Sequence, residues 1–542
     1  MGVSTPAAKL IVPANDAYTS SERAQVGEGH RQHHPEYRPV ILKRMQTTRT
    51  SKNSPVKVFL LGIDATSLGY LQENIAALPN FGRLLRSGLV LKPASPASLL
   101  NASLWQSFAS GLPAGELGHY FPLQWDPSAM CFRQMKGDDR LDFEPFWNDL
   151  AEDGVKTIVF DATSTPVRGT APGIQVIDWN TQCNVPVRTN REDILRQLRR
   201  RFGSRPIKDE IPVKKSRRTL THYRDDLINS VRMKTDAILW LMQDYEWQFF
   251  LTAYFEGHRA GHNLWPIWDD FASDPPEEAL LDVYREIDAQ LGRIQAALNS
   301  SDTVLIIFSM HGMAPGYAQD HFLPAVMDRI NAAYLKKSGH PLPRYEKPRI
   351  VRMLRQIVPP SLQLGMRKLV GQTVQDWLID REWRGGKDWK STPAFPVPGG
   401  GDTGFIRLNV KGRERDGFLP SSEAERAGFV EFLCDSLRAL RVKETNEPLV
   451  RDIFFAQEEF PGPRSYLLPD LILLWKPERP AKEIWSEELG SIKAELKTGR
   501  GGIHTGEGFA ILAGALDRLD NQVPPLRDIR DYKGFATALL GS

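Results

Sequence analysis

Short apolar runs alternate with longer amphipathic segments along most of this chain. The clearest runs are Val58–Ile63, Gln248–Tyr254 and Thr303–Phe308, and runs of this kind are typical of strands buried on both faces of a parallel sheet. Segments 71–89 and 282–299 have helical spacing. Weaker strand candidates complete the sheet at Lys156–Phe160, Ile174–Ile177, Ile406–Val410 and Leu471–Trp475. The alternation predicts an α/β fold with a mainly parallel central sheet and helices on both faces.

Three stretches depart from this alternation. Residues 1–54 are polar and basic and lack apolar periodicity, so we expect a disordered N-terminal arm before a catalytic domain at 55–542. The stretches near 187–235 and 335–398 are predicted insertions, either caps over an active site or solvated helical excursions. The first is rich in arginine and lysine. As a cap it would suit a phosphate or sulfate group, because guanidinium binds such oxyanions through two hydrogen bonds.

Composition excludes several classes of protein. The 542 residues contain 69 Lys and Arg against 66 Asp and Glu, a net charge of +3, so no overall field predicts nucleic acid as a primary partner. No apolar stretch reaches the roughly 20 residues that span a bilayer, and no apolar signal segment begins the chain. The three cysteines are far apart and predict no disulfide framework. We expect a cytoplasmic protein without a membrane span.

Ligand-type side chains follow several predicted strands. Asp64 closes the first run, His258 and His262 follow the second, His311 follows the third, and His504 lies in a late Gly-Ile-His segment. Because the carboxyl ends of parallel strands share one edge of a sheet, these side chains are expected to meet there. His258 and His262 are four residues apart and would share one helix face, as metal-binding pairs do. Asp64 has a second interpretation as a helix N-cap. The pattern predicts a metal site.

Six motifs occur in a fixed order along the chain. They are Gly62-x-Asp64, Leu78-Pro-Asn-Phe81-x-x-Leu84-x-x-x-Gly88, Ala102-Ser-Leu-Trp105-x-Ser107-Phe-x-Ser-Gly111, His262, Ser309-Met-His311-Gly-Met313 and Gly502-Ile-His504. In this order they resemble the type I phosphodiesterase/nucleotide pyrophosphatase branch of the alkaline phosphatase superfamily, from residue 56 to about 515 outside the two insertions. The resemblance implies an alkaline-phosphatase-like fold and a hydrolase.

The resemblance also implies two divalent cations, usually zinc, on either side of a Thr or Ser nucleophile. By position, the first cation site would comprise His258, His262 and His504, and the second would include Asp64 and His311. Such cations neutralise phosphate charge, lower the pKa of the nucleophile and stabilise the leaving oxygen.

Two departures from the family pattern concern the nucleophile and the first cation site. Asn101 stands where the family has Thr or Ser, and an amide cannot form a covalent phosphoenzyme, although it can ligate a metal or donate to an oxyanion. Ser98 and Ser103 stay open as alternative nucleophiles. His258 replaces an aspartate. The resulting three-histidine site would have an open position, where the pKa of a bound water can be near ~7, so metal-activated water would replace the missing nucleophile.

A third departure affects the second cation site. Met310 replaces an aspartate there, and a thioether is a poor ligand for a hard cation. Asp64, His311 and in one interpretation Asn101 remain, so the second site is weak or empty unless another residue contributes. The candidates for that contribution are Glu256, His119 and His321.

A glycine-rich segment, Gly399-Gly-Gly-Asp402, precedes the run that contains Arg407. Such a segment permits close approach of backbone to a ligand, but it also makes a simple hinge or turn. We favour the hinge or turn.

These observations predict a metal-dependent hydrolase of a phosphodiester, pyrophosphate or related phosphate or sulfate ester. Asn101, Asp64 and His311 are the predicted catalytic residues, and Asn101 and Arg259 are the predicted substrate contacts. The expected cofactor is zinc at one firm site, and the expected partner is a phosphorylated small-molecule or glycan-linked substrate. The alternative is an inactive relative that binds such a ligand, because the nucleophile and two carboxylate ligands are replaced.

Overall fold

Each predicted apolar run overlaps a strand of the protein, and further strands extend the central sheet or form smaller sheets. The structure is a computed structural model that describes residues 56–135, 142–180, 186–204, 216–265, 275–342, 388–400, 402–477, 479–494, 500–519 and 523–541. In these residues the strands are β1 Lys57–Ile63, β2 Leu89–Leu91, β3 Leu123–Asp126, β4 Cys131–Gln134, β5 Thr157–Phe160, β6 Ile174–Ile177, β7 Arg188–Thr189, β8 Phe249–Tyr254, β9 Thr303–Ser309, β10 Gly312–Pro315, β11 Ala394–Val397, β12 Thr403–Leu408, β13 Arg441–Val442, β14 Val450–Phe455, β15 Leu471–Trp475, β16 Glu483–Ser486, β17 Gly490–Lys493, β18 Gly502–Thr505 and β19 Phe509–Gly514.

In the described residues, helices lie in eight of the eighteen intervals between these strands, and one helix follows the last strand. They are α1 Leu68–Glu73, α2 Pro79–Ser87, α3 Leu104–Ser110, α4 Ala114–Leu117, α5 Phe146–Glu152, α6 Glu192–Phe202, α7 Arg217–Asp244, α8 Glu256–Leu264, α9 Ala279–Ala297, α10 Leu323–Lys337, α11 Glu423–Arg438, α12 Ala456–Glu459 and α13 Tyr532–Leu540. The predicted helix 71–89 is divided in the structure, because Pro79 begins a new helix in its first turn, where a proline is tolerated.

The central sheet has eight strands in the order β2-β19-β9-β1-β8-β5-β6-β7. Strands β9, β1, β8, β5 and β6 are parallel neighbours, while β19, β2 and β7 add antiparallel edges. Side chains of β1 alternate between two apolar cores. Phe59 and Leu61 pack with helices that include α7 to α9, and Val58 and Leu60 pack with α3, α5 and α13. The predicted α/β fold with a mainly parallel sheet and helices on both faces is confirmed.

Two predicted members of the central sheet lie elsewhere. Strands β12 and β15, which correspond to the runs 406–410 and 471–475, belong to a separate antiparallel sheet of order β11-β12-β15-β14. An apolar run indicates a buried strand but carries no information on which sheet receives it. The sheet edge is instead completed by β19 and β2.

The predicted domain boundary and insertions are described in part. Residues 54–542 form one unit, and the expected N-terminal arm lies outside the described residues. In the first insertion, α6 and α7 pack on the apolar core of the sheet through Leu195, Leu227 and Val231. Most of the second insertion, 343–387, lies outside the described residues. The role of both insertions as caps stays a prediction. Among the described residues, the helices are all too short or too polar to cross a membrane.

Candidate metal centre

Three neighbouring strands of the central sheet deliver ligand-type side chains to one edge. Asp64 follows β1, His311 follows β9, and α8 begins two residues after the end of β8. Because β1 lies between β9 and β8, these chain segments emerge side by side. The backbone N–H of Asp64 also donates to the Tyr254 carbonyl at 3.0 Å, which continues the β1–β8 ladder to the site.

A separate two-stranded sheet brings His504 to the same edge. Strand β10, which follows His311, pairs antiparallel with β18, and Met313 lies opposite His504. This two-stranded sheet packs closely on α8, since a Cβ at Gly502 would lie 2.5 Å from the Gly261 carbonyl oxygen and a Cβ at Gly261 would lie 2.2 Å from the Met313 sulfur. Glycine at both positions therefore allows the approach that places His262 next to His504.

The side chains of His258, His262 and His504, which we call the three-histidine cluster, point their Nε2 atoms at one another. The Nε2 of His258 lies 3.0 Å from that of His262 and 3.0 Å from that of His504. Nitrogens that bind one zinc tetrahedrally at ~2.0–2.1 Å lie roughly 3.3 Å apart. The cluster therefore has nearly the spacing of a metal-bound set, and the predicted convergence of these three residues is found.

Each imidazole of the cluster has an acceptor at its other nitrogen. His258 Nδ1 lies 2.5 Å from Asp64 Oδ2, His262 Nδ1 lies 2.9 Å from the Gly502 carbonyl oxygen, and His504 Nδ1 contacts Asp402 Oδ2. Carbonyl and carboxylate oxygens accept hydrogen bonds, so the Nδ1 atoms are the donors. In the neutral rings each Nε2 then carries a lone pair.

This donor set fits a divalent cation. In the neutral cluster the lone pair of His258 Nε2 faces those of His262 and His504 at 3.0 Å and is repelled by both, and a single proton can bridge one pair of nitrogens but not all three. A cation relieves the repulsion for the whole cluster. Histidine ligands whose second nitrogen donates to a carboxylate or a backbone carbonyl are the usual arrangement of metal sites.

Burial favours the neutral forms of His258 and His262. It lowers the pKa of His258, against the opposing effect of the Asp64 hydrogen bond, and together with the positive charge of Arg500 it lowers the pKa of His262 well below its usual value. For Asp64, burial alone would raise the pKa, but the hydrogen bond and charge of His258 outweigh it and lower the pKa to about 2. The side chain of His258 is 26% exposed, so the cluster is accessible from solvent.

The neighbouring half-site, defined as Asp64, Met310 and His311, is less complete. A ligand set of Asp64, His258 and His311 is geometrically feasible, but it shares His258 with the cluster. Asp64 is already engaged, because it accepts from His258 and also from Trp105 Nε1 at 3.1 Å. Buried His311 has an Nδ1 without a hydrogen-bond partner among the described residues, and burial lowers its pKa to about 3.

Asn101 lies beside the cluster and is held there by Asp402, a residue that the sequence pattern does not single out as functional. The Asn101 amide donates to Asp402 Oδ2 at 2.7 Å, and its nitrogen lies 2.7 Å from His504 Nδ1. The sequence favours a hinge or turn for the glycine-rich segment that contains Asp402. A carboxylate after glycines that permit close backbone approach is the signal that could have identified it.

Other predicted residues have different surroundings. Glu256 is buried and engaged by Lys234 and Ser230, so it is not a ligand of the second site. The ring of His321 packs on Phe322, and His119 lines a separate cavity with Gln106, Gln124 and Arg464. A contribution of either histidine to the half-site stays a prediction.

The structure also bears on the alternative roles of Asp64 as a helix N-cap and of the nearby serines as nucleophiles. Ser67, not Asp64, caps α1, because its side chain accepts from the Tyr70 N–H. Ser103 is buried and donates to the Leu100 carbonyl at 3.3 Å, whereas Ser98 is exposed. Arg259 follows His258 on α8, and its contact with substrate stays a prediction.

Comparison with solved structures finds low similarity to two proteins. Phosphonoacetate hydrolase from Sinorhizobium meliloti 1021 in complex with phosphonoformate is 15% identical with a TM-score of 0.47, over 90% of this chain and 96% of that one. Murine ectonucleotide pyrophosphatase/phosphodiesterase 5, an inactive variant in complex with AMP, is 11% identical with a TM-score of 0.44, over 90% of this chain and 95% of that one. A search of curated proteins gives no significant match.

The family assignment rests on a longer match. The model of the family "type I phosphodiesterase / nucleotide pyrophosphatase" matches residues 58–356, more than half of the 542 residues. This range contains β1 with Asp64, the Asn101 segment, α8 with its two histidines, and His311. The chain therefore belongs to the type I phosphodiesterase/nucleotide pyrophosphatase family of hydrolases.

Proposed function

We propose that this protein is a hydrolase of a phosphate or sulfate ester of a small molecule that uses one divalent cation, with zinc as the first candidate. The observation that carries the proposal is the convergence of three imidazoles: His258 Nε2 lies 3.0 Å from the Nε2 atoms of His262 and His504, and each Nδ1 has an acceptor. Tetrahedral nitrogen ligation is characteristic of zinc. Family membership supports the ester-hydrolase class.

The residues around the cluster have distinct parts in this proposal. A cation bound there would polarise a phosphoryl or sulfuryl oxygen and lower the pKa of a coordinated water. Asp64 orients His258, and Gly502 orients His262. The positive charge of Arg500, which contributes to the lowered pKa of His262, favours an anionic substrate.

Asn101 sets the expected course of the reaction. An amide cannot accept a phosphoryl group as a stable covalent ester, so hydrolysis should proceed without a phosphoenzyme at this position. Its NH2 donates to Asp402, which holds the amide beside the cluster. Asn101→Ala should therefore weaken turnover and not abolish it.

The metal proposal is tested by analysis of purified protein after chelation and reconstitution. Wild-type protein should retain close to one zinc per chain, and His262→Ala should lose it because a ligand is removed. His340→Ala is the matched control, since His340 is exposed and its ring packs on Phe418. A wild-type protein that retains no cation and gains no thermal stability from added zinc would contradict the proposal.

The reaction is tested with nitrophenyl phosphodiesters, monoesters and sulfate esters, and with nucleotide pyrophosphates. Turnover should need the cation, and acid quenching with labelled substrate should trap no phosphoprotein. A covalent adduct on Ser98 or Ser103 would contradict the proposed course.

The replaced nucleophile favours a second candidate function, a binding protein without turnover. Asn101 is the specific observation, because the family position otherwise holds a hydroxyl. Cation-loaded protein that binds phosphonates or AMP but hydrolyses none of the esters above would support this candidate over the first.

A further inference from the structure

Asp402 connects two functional side chains that are remote in sequence. Its Oδ2 contacts His504 Nδ1, 102 residues away, and accepts from the Asn101 amide at 2.7 Å, 301 residues away. Asp402 lies directly before β12, in the second sheet. Its side chain is 12% exposed, and that of His504 is 7% exposed, so the contact is largely shielded from water.

The chemistry of this contact fixes the state of His504. A carboxylate accepts hydrogen bonds, and an imidazole nitrogen without hydrogen would repel it at this range. His504 therefore donates through Nδ1, and its Nε2 faces His258 at 3.0 Å. A hydrogen bond to a carboxylate also increases the basicity of the imidazole as a metal ligand.

Close packing holds Asn101 on the same carboxylate. A Cβ at Gly400 would lie 3.1 Å from Asn101 Nδ2 and 3.2 Å from its Oδ1, so the backbone of the glycine-rich segment covers the amide. A side chain at position 400 would displace it. Gly400 and Asp402 thus confine Asn101 from one segment of chain.

We propose that Asp402 is a positioning residue that holds His504 in the metal-binding tautomer and holds the Asn101 side chain beside the cluster. The inference rests on the proposed cation site and deepens it. Asp402 is the counterpart of Asp64, so the cluster has a carboxylate behind two of its three imidazoles.

The test compares cation affinity among variants by competition with a chelator of known zinc affinity. Loss of a hydrogen-bond partner behind a metal ligand weakens metal binding about 10–100-fold. We expect Asp402→Ala to show this loss and Asp402→Asn, which retains an oxygen acceptor without charge, to fall between it and the wild type. The cobalt-substituted protein should show a changed visible spectrum in Asp402→Ala, a readout of ligand geometry that altered stability alone would not change.

Asp320→Asn is the matched control. Burial and the nearby negative charge of Asp402 raise the pKa of Asp320 to about 6, so the two carboxylates are close in space. No hydrogen bond joins Asp320 to the cluster in the described residues. Asp320→Asn removes one carboxylate charge close to Asp402. We expect it to change cation affinity less than threefold, which corresponds to roughly 0.6 kcal/mol. Thermal unfolding of the metal-free variants identifies any loss due to misfolding, and the Asn variant preserves the test if the Ala variant does not fold.

The second half of the inference is tested through Asn101. The loss of cation affinity in Asp402→Ala should persist in an Asn101→Ala background, because Asp402 acts on His504 directly. The losses in kcat/KM from the two single variants should be less than additive, because Asp402 also acts through Asn101.

The outcomes separate the two proposals. Wild-type protein without a cation would overturn the proposed function. Wild-type protein with a cation, together with unchanged affinity and an unchanged cobalt spectrum in both Asp402 variants, would overturn this inference alone. Equal losses in Asp402→Asn and Asp320→Asn would also overturn it, because they would indicate a general effect of charge.

Discussion

The three-histidine cluster and the half-site of Asp64, Met310 and His311 lie at the same sheet edge but differ in completeness. Every imidazole of the cluster has an acceptor behind it. In the half-site, position 310 has a thioether, and His311 Nδ1 has no partner among the described residues. His258, which replaces the aspartate of the family pattern, affects both regions. With imidazole at 258, Asp64 becomes a hydrogen-bond acceptor for that ring, and its availability to a second cation falls.

Ligand-type residues at family positions therefore do not guarantee the family's ligand set. Asp64 occupies the expected position, yet its Oδ2 accepts from His258 and its Oδ1 accepts from Trp105. A carboxylate that orients a ligand and one that binds a metal can share a sequence motif. The contrast between cluster and half-site predicts one tight cation per chain, in the cluster.

The largest expected effect distinguishes the two regions by removal of one histidine from each. His258→Ala should reduce cation affinity by more than the roughly 10–100-fold that loss of an outer hydrogen-bond partner costs, because a ligand itself is lost. His311→Ala should leave cation stoichiometry at one and reduce turnover. Isothermal titration with zinc measures the cation affinity and the stoichiometry of the two variants. Loss of the cation in His311→Ala would show that the half-site, and not the cluster, holds it.

An intermediate effect is expected from Asp64→Asn. The substitution keeps the size of the side chain but weakens the acceptor behind His258, so zinc affinity should fall about 10–100-fold without a change in stoichiometry. Chelator competition measures the affinity, and metal analysis measures the stoichiometry. A fall from two cations to one would contradict the assignment of Asp64 as an orienting residue.

A gain is expected when the family carboxylates are restored. In the double variant His258→Asp and Met310→Asp, Asp64 loses its imidazole donor and the half-site gains a carboxylate. A second, weaker cation should then bind, since carboxylate oxygen is a better ligand than thioether for a hard cation. Metal analysis at increasing zinc should approach two per chain. Thermal unfolding controls for the buried position of Met310, and a folded variant that still binds one cation would contradict the contrast between the two regions.

The smallest effect is a pH dependence. Protons compete with the cation for Nε2, and burial lowers the pKa of both His258 and His262. The imidazoles thus stay neutral at a pH where exposed histidines protonate, so zinc affinity should be nearly constant from about pH 8 to about pH 6.5 and fall below that. Affinity that already falls tenfold between about pH 8 and about pH 7 would contradict neutral, buried ligands.

The metal-free fold should respond to pH in the same direction. Burial lowers the pKa of His311 to about 3 in the folded protein, whereas an unfolded histidine has its usual value near 6.5. The unfolded state therefore binds more protons below about pH 6.5, and the free energy of unfolding should decrease as pH falls through this range. His311→Gln should reduce that slope in denaturant titrations of the metal-free protein.

The sequence predicts the fold and the cluster because both depend on local patterns. Runs such as Val58–Ile63 indicate buried parallel strands, and parallel strands place the residues after their carboxyl ends at one edge of the sheet. Asp64, His258, His262 and His311 lie at such ends, and family order adds His504. These are the residues that the structure brings together.

The remaining features depend on long-range contacts that no local pattern encodes. Asp402 follows glycines and precedes a strand of another sheet, so its contact with His504 is absent from any window of sequence. The choice of sheet for β12 and β15 depends on antiparallel pairing partners in the same way. Asp64 is in the predicted place, but the partner that defines its role is 194 residues away.

The most direct measurement is anomalous diffraction at the zinc edge from crystals of protein reconstituted with zinc. We predict one strong peak among the Nε2 atoms of His258, His262 and His504. A peak between Asp64 and His311 with none in the cluster, or two peaks of equal strength, would contradict a single cation held by the three histidines.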